Sequence, residues 1–217
     1  MNQENRFIYR IKYTKGEMVK YISHLDFLRC VNRSFKRGKI PVKYSNGFNP
    51  HVLLNIALPC PVGVSSICEL LDIELYEKMD CGEIKKRLGA SLPVGIEALE
   101  VWERGNSPDF FEISSALYDA SFSSDKEIDI GKFIAEPIVM TEKKSKRGMK
   151  EVNIKDFVRD MQIVSADNKS YRLTMTIDAG AKSNLKPELL LNSMAKYFEA
   201  EFKDIKVERK EIYFACK

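Results

Sequence analysis

Histidine is the side chain whose ordinary pKa, near ~6.5, suits it to moving protons at neutral pH. This chain of 217 residues has two. His24 sits in Ser23-His24-Leu25-Asp26, and His51 closes Gly47-Phe48-Asn49-Pro50-His51. Each falls where an element starts or ends, so each can face solvent or a ligand. Either could act as a general base on a ribose 2′-hydroxyl or contact a phosphate. Either could equally be an exposed polar residue. Ser23 and Asp26 fit a helix cap and its dipole-matched acid, worth on the order of 1 kcal/mol together. That reading needs no chemistry from them.

Cations surround these motifs. Residues 1–55 hold 11 Lys and Arg against three acids, although the whole chain is only +4. Such a bias points to a polyanionic partner. Arg29, Arg33, Lys36 and Arg37 recur at i, i+4, i+7 and i+8, which is one face of a helix. Guanidiniums in a row can follow a phosphate backbone; a solvated helix face is the alternative. Lys43, Tyr44, Phe48 and Asn49 form a basic and aromatic loop suited to stacking an unpaired base. Buried anchoring of that loop would explain the same residues. Asn49-Pro50 makes a stiff turn, and Gly47 is a candidate for positive φ. A second basic run, Lys143 to Lys150, reads as a hairpin tip or a solvated loop.

Other chemistries lack their machinery. No Walker A loop, Gly-x-Gly-x-x-Gly, Gly-x-Ser-x-Gly elbow or His-Glu-x-x-His occurs. The five cysteines, Cys30, Cys60, Cys68, Cys81 and Cys216, include no Cys-x-x-Cys pair. They read as free thiols rather than disulfides or zinc ligands. We expect no metal and no cofactor. The polar N-terminus and the absence of an apolar run near ~18 residues read as a cytoplasmic protein without a membrane partner.

The elements that would position these residues follow from hydrophobic period. Arg6–Thr14 alternates as a strand, with Phe7, Tyr9, Ile11 and Tyr13 on one side. A helix starts at Ser23 and buries Phe27, Leu28, Val31 and Phe35; Gly38 and Pro41 stop it. Strands are expected over 51–58 and 67–75, a helix over 80–88 ended by Gly89, and a strand over 95–102. The order β-α-β-β-α-β is that of a ferredoxin-like unit. After a linker at 104–108, strands are expected at 116–123, 171–177 and 207–214. Helices are expected at 129–135 and 187–202, while 157–163 fits either type. The fold class expected is α+β, with two tandem ferredoxin-like (βαββαβ) lobes spanning 1–104 and 105–217.

The string Tyr21 to Asp26, then Ile40-Pro41 and Tyr44 to His51, is specific. So is Leu58-Pro59-Cys60-Pro61-Val62-Gly63-Val64-Ser65-Ser66 followed by Glu69 and Asp72. Together these segments resemble a bacterial family of radical-SAM-associated proteins (domain of unknown function 2344), in its stand-alone form. The diagnostic part spans roughly the first 75 residues; a weaker pattern, Lys150 to Ile154 and the closing strand, extends it. A proline commonly follows the motif histidine in that family, where this chain has Val52. The resemblance implies a bacterial cytoplasmic protein with a radical SAM protein as partner. It implies no activity of its own.

Three functions are therefore expected in order. The first is a non-catalytic accessory that binds structured RNA, or positions substrate, for a radical SAM enzyme. The second is a metal-independent RNA endonuclease using His24 or His51. The third is a subunit that recognises only protein.

Overall fold

The computed structural model describes residues 6–145 and 148–215. Cys216 and two residues of the second basic run, Lys146 and Arg147, lie outside them. Two units fold within the chain, Met1–Phe110 and Phe111–Lys217. The class is α+β in both.

In the first unit, β1 (Phe7–Lys15), α1 (His24–Arg37), β2 (Leu54–Ile56), β3 (Val64–Leu75), α2 (Cys81–Ser91) and β4 (Ala98–Glu103) follow the expected order. Strand β1 pairs antiparallel with β3 and β4, and β2 pairs antiparallel with β3, giving the order β4-β1-β3-β2. Alternation in β1 turns Tyr9, Ile11 and Tyr13 toward α1 and α2. They join Phe27, Val31 and Phe35 of α1, Ile84 and Leu88 of α2, and Leu71, Ile73 and Leu75 of β3 in one core. Tyr13 stacks on Phe27 with ring centroids 5.1 Å apart.

Several boundaries differ from expectation for identifiable reasons. Only 54–56 of the expected strand 51–58 is a strand, because Val52 is spent on a bridge to Tyr44. Helix α2 runs through Gly89 to Ser91, since nothing within 4 Å of that glycine demands its missing side chain. Gly38 ends α1 through close approach rather than unusual backbone. A Cβ there would lie 2.8 Å from Ser91 Oγ and 3.0 Å from the Arg87 carbonyl. The expected linker at 104–108 belongs to the first unit, and the division falls after Phe110 rather than after Arg104. Its backbone and side chains are fastened to β1 and β3, as described below.

The second unit comprises β5 (Ile113–Ser124), α3 (Ile130–Ala135), β6 (Met140–Ser145), β7 (Gly148–Asn153), β8 (Val158–Asp167), β9 (Ser170–Asp178), α4 (Pro187–Tyr197) and β10 (Phe202–Phe214). Its main sheet has the order β10-β5-β9-β8, all antiparallel. The ambiguous segment 157–163 is thus mostly strand β8. Its mostly exposed residues hid the period. The flanks of the second basic run pair with each other as a β6–β7 hairpin outside that sheet. Helix α4 stops at Tyr197, and β10 begins five residues earlier than its alternation suggested. No helix among the described residues is long and apolar enough to cross a membrane. Cys30, Cys60, Cys68 and Cys81 are free thiols.

Candidate nucleic-acid interface

Helix α1 begins as its sequence dictates. Ser23 is extended, and its Oγ accepts from the Asp26 N–H at 3.1 Å. The Ser23 hydroxyl also donates to Asp26 Oδ2 at 2.8 Å, and Arg29 donates to Asp26 Oδ1 at 2.9 Å. Those bonds, Ser23 foremost, hold the Asp26 carboxyl below its ordinary value. Asp26 is fully committed to the cap and to Arg29. His24 is exposed at the first helical position and takes no part in the cap.

The turn beside His24 is built from the Leu58–Ser66 motif. Lys15, only 4% exposed, donates to the carbonyls of Lys20 (2.9 Å) and Pro61 (3.1 Å). The Gly63 N–H reaches the Lys20 carbonyl at 2.9 Å, and Gly63 takes φ +85°. Lys15, one of the 11 cations counted in residues 1–55, therefore ties two motif loops together. His24 walls a crevice here with Pro59 and Cys60, of about 10 Å³. That is roughly one water in size, too small for a substrate.

His51 belongs to a separate structure. Its N–H donates to Ser45 Oγ at 3.1 Å, and the Ser45 hydroxyl lies 2.8 Å from His51 Nδ1. The Ser45 N–H donates to the His51 carbonyl at 2.8 Å. These bonds and the Tyr44–Val52 bridge close a hairpin whose tip, Asn46 to Pro50, is exposed throughout. Gly47 adopts φ +117°, a conformation that favours glycine. At the tip Phe48 is wholly solvated, at 106% exposure. Tyr44 is instead half-buried and packs against the core. Lys43 is held to Glu74 at 3.2 Å. Asn49 and Pro50 stay exposed.

The two histidines are not brought together. His24 starts α1, whose 14 residues span roughly 20 Å, and the hairpin begins beyond the other end. No hydrogen bond joins them. Along the same helix, the basic residues divide by role. Arg37 donates to the Ser91 carbonyl at 2.6 Å and to Ser34 Oγ at 3.0 Å, closing the end of α2. Among the described residues Arg29 makes only the exposed pair with Asp26, which is weak and easily exchanged. Arg33 and Lys36 are exposed and make no hydrogen bond or ion pair among the described residues. Five residues, 38–42, separate Arg37 from the hairpin root, so the C-terminal end of α1 lies within a short stretch of chain from that root.

Sequence reasoning missed a charged network on the sheet face turned away from the helices. Alternation assigned Arg10 to solvent, yet it is 1% exposed. It faces Asp72 across the β1–β3 ladder and donates to both carboxylate oxygens, at 2.7 and 2.9 Å. Its remaining nitrogen reaches the Pro108 carbonyl at 2.8 Å, and the guanidinium lies 4.1 Å from the Phe110 ring centre. Arg104 bridges Asp72 (3.1 Å) and Asp109 (2.9 Å). Arg6 and Lys43 pair with Glu74. The signal in the sequence was Asp72 and Glu74 at i, i+2 opposite basic residues of the first strand.

Hydrogen bonding from Arg6, then from Lys43, holds the Glu74 carboxyl below its ordinary value of 4.5, against the opposing effect of burial. A carboxylate with a lowered folded-state pKa stabilises the fold at neutral pH. That contribution is lost as pH falls through the folded value. Glu74→Gln is expected to cost about 1–2 kcal/mol at pH 7, and the deficit should shrink below about pH 4. Chemical denaturation of both proteins across pH checks this; a deficit independent of pH would refute it.

Of the second basic run, Lys143 and Lys144 lie on β6 and Lys150 lies on β7. Lys143 stands 3.8 Å from the Phe157 ring centre, where burial pushes its amine below the usual range. No cluster of three or more His, Cys, Asp or Glu that could hold a metal occurs among the described residues.

No curated protein matches this sequence. Among solved structures, a chain from the crystal structure of a Cbf5-Nop10-Gar1 complex is similar, at 8% identity with a TM-score of 0.46. The alignment covers 94% of this chain and 47% of that one, so this chain spans about half its length. A family profile for an uncharacterized protein conserved in bacteria matches residues 8–187, from β1 to the first turn of α4. On that match the chain belongs to the DUF2344 family.

Proposed function

We propose that both units are ferredoxin-like lobes and that the first binds structured RNA, positioning it for a radical SAM protein without catalysis of its own. The tandem reading is supported by the strand orders β4-β1-β3-β2 and β10-β5-β9-β8, which have the same plan. The observation that carries RNA binding is Phe48. A phenylalanine held wholly in water, on a hairpin closed by Ser45 and His51, is an apolar face with nothing to pack against. Arg33 and Lys36, which make no hydrogen bond or ion pair among the described residues, stand on the helix that leads into this hairpin. Stacking on Phe48 and phosphate contacts from Arg29, Arg33 and Lys36 together make a single-strand or loop platform. Arg37 is left out, because its guanidinium is committed to α2. The radical SAM partner rests on the motif resemblance.

The test is a salt titration of RNA binding. Replacing Arg29, Arg33 and Lys36 by Gln should weaken binding and reduce the salt slope by about 0.7 per lost contact. Stability should move by no more than about 0.5 kcal/mol. An unchanged slope would remove the helix face from the interface. Labelled RNA incubated in EDTA addresses the endonuclease alternative. Products with 2′,3′-cyclic phosphate ends, lost in His24→Ala or His51→Ala, would overturn the non-catalytic reading. Copurification with a radical SAM polypeptide tests the partner.

A further inference from the structure

A second aromatic face lies at the root of the Phe48 hairpin. Tyr76 directly follows β3 and is 61% exposed. It is tied down at two points. Its N–H donates to the Pro41 carbonyl at 2.9 Å, and its hydroxyl oxygen accepts from the Tyr44 N–H at 3.4 Å. Val42, between those two partners, bridges to Leu75. The side chain is thus laid along residues 41–44, just below the turn that Ser45 and His51 close. No other aromatic ring stacks on Tyr76 or on Phe48 among the described residues. A ring already held in place and left in water can stack on a ligand at little further cost in order.

Charge indicates what would cover it. From Phe27 to Cys68 the sequence contains no Asp or Glu. Arg33, Lys36 and Lys39, in the helix and turn before the hairpin, are exposed and make no side-chain hydrogen bond or ion pair among the described residues. Of the acids beside Tyr76, Glu74 is paired with Arg6 and Lys43, while Glu77 is exposed. A flat ring joined to a basic segment suits a base carried on phosphates. Tyr44, which holds the Tyr76 hydroxyl, is four residues from Phe48. Four residues of chain reach at most about 14 Å. A strand with about 3.4 Å between phosphates covers that in about four nucleotides. We infer that Tyr76 is a second base-stacking platform, so that the hairpin takes a single-stranded segment of about four nucleotides rather than a duplex. A duplex keeps its bases in its own stack and cannot give two of them to separate rings. The inference rests on the RNA reading above and adds to it the form of RNA taken.

The full chain is titrated with labelled hexauridylate and competed with the dinucleotide UpU, with tetrauridylate or with a blunt RNA duplex. Wild type should prefer tetrauridylate to UpU and to the duplex. Tyr76→Leu should weaken tetrauridylate roughly 5- to 10-fold, the lower end for a stacked base, and leave UpU, served by Phe48 alone, unchanged. Tyr76→Phe keeps the ring and should bind as wild type does. Neither variant removes a charge, so the salt slope should hold. Glu77→Gln should tighten tetrauridylate but not UpU, because a strand that reaches Tyr76 passes that carboxylate. Equal loss of UpU and tetrauridylate in Tyr76→Leu would show that Tyr76 only shapes the hairpin, and overturns its stacking role. Tetrauridylate binding untouched by Tyr76→Leu or by Glu77→Gln overturns the inference and leaves the RNA reading standing. A duplex that competes as well as tetrauridylate overturns the single-strand assignment. Failure of wild type to bind hexauridylate overturns both readings.

Discussion

Asp72→Ala is expected to destabilise the first unit by about 3–5 kcal/mol, the usual result of stranding a buried charge. The size follows from what the substitution leaves behind. Arg10 stays 1% exposed and loses the acceptor of two of its three side-chain hydrogen bonds. Arg104 loses the same carboxylate as an ion-pair partner. Little of this can relax, because Arg10 is held between the Pro108 carbonyl and the Phe110 ring. Trp102, the single tryptophan, lies on β4 in this unit and donates to Ser107 Oγ at 3.0 Å. Its fluorescence during urea denaturation reports the loss directly. The pair itself need not be strongly stabilising, so the double variant Arg10→Met/Asp72→Ala should recover much of the deficit. Equal loss in the single and double variants would show that the contacts, not the stranded charge, set the cost.

The same network marks the limit of what the sequence made legible. Period two placed Tyr9, Ile11 and Tyr13 in the core, and the Ser23 cap placed the start of α1. Both work because they depend on residues close in the chain. Arg10, on the strand, and Lys15, in the turn after it, defeated such local reasoning. A strand face is read as solvated when its residues are charged, but burial depends on partners far along the chain. Asp72 is 62 residues from Arg10, and the Pro61 carbonyl is 46 from Lys15. The basic face of α1 was legible as a face but not as roles. Arg33 and Arg37 look alike in sequence, yet among the described residues one has no hydrogen-bond or ion-pair partner and the other closes α2 through Ser91. For the hairpin, composition offered stacking and anchoring as equal readings for Tyr44 and Phe48. The structure separates the two residues by burial, Tyr44 half-buried and Phe48 fully solvated.

Phe48→Ala is the substitution with the largest expected effect on RNA binding. Stacking of a base on an aromatic side chain contributes about 1–3 kcal/mol, so affinity should fall roughly 5- to 150-fold. Three further results distinguish stacking from damage to the fold. Stability should stay within about 0.5 kcal/mol, since a wholly solvated ring has no packing to lose. The salt slope should not change, because no charge is removed; in the Arg29/Arg33/Lys36 variant it should. Phe48→Trp should retain or improve binding, as any flat aromatic face serves, whereas Phe48→Leu should behave like alanine despite its apolar bulk. The hairpin must hold its shape for this to work, and Ser45 and His51 are what hold it. Ser45→Ala should therefore lower affinity in the same direction with Phe48 intact. If Phe48→Leu binds as wild type does, the exposed ring is serving as an apolar contact. The hairpin would then be docking protein rather than stacking on a base, and the protein-only subunit would become the better account.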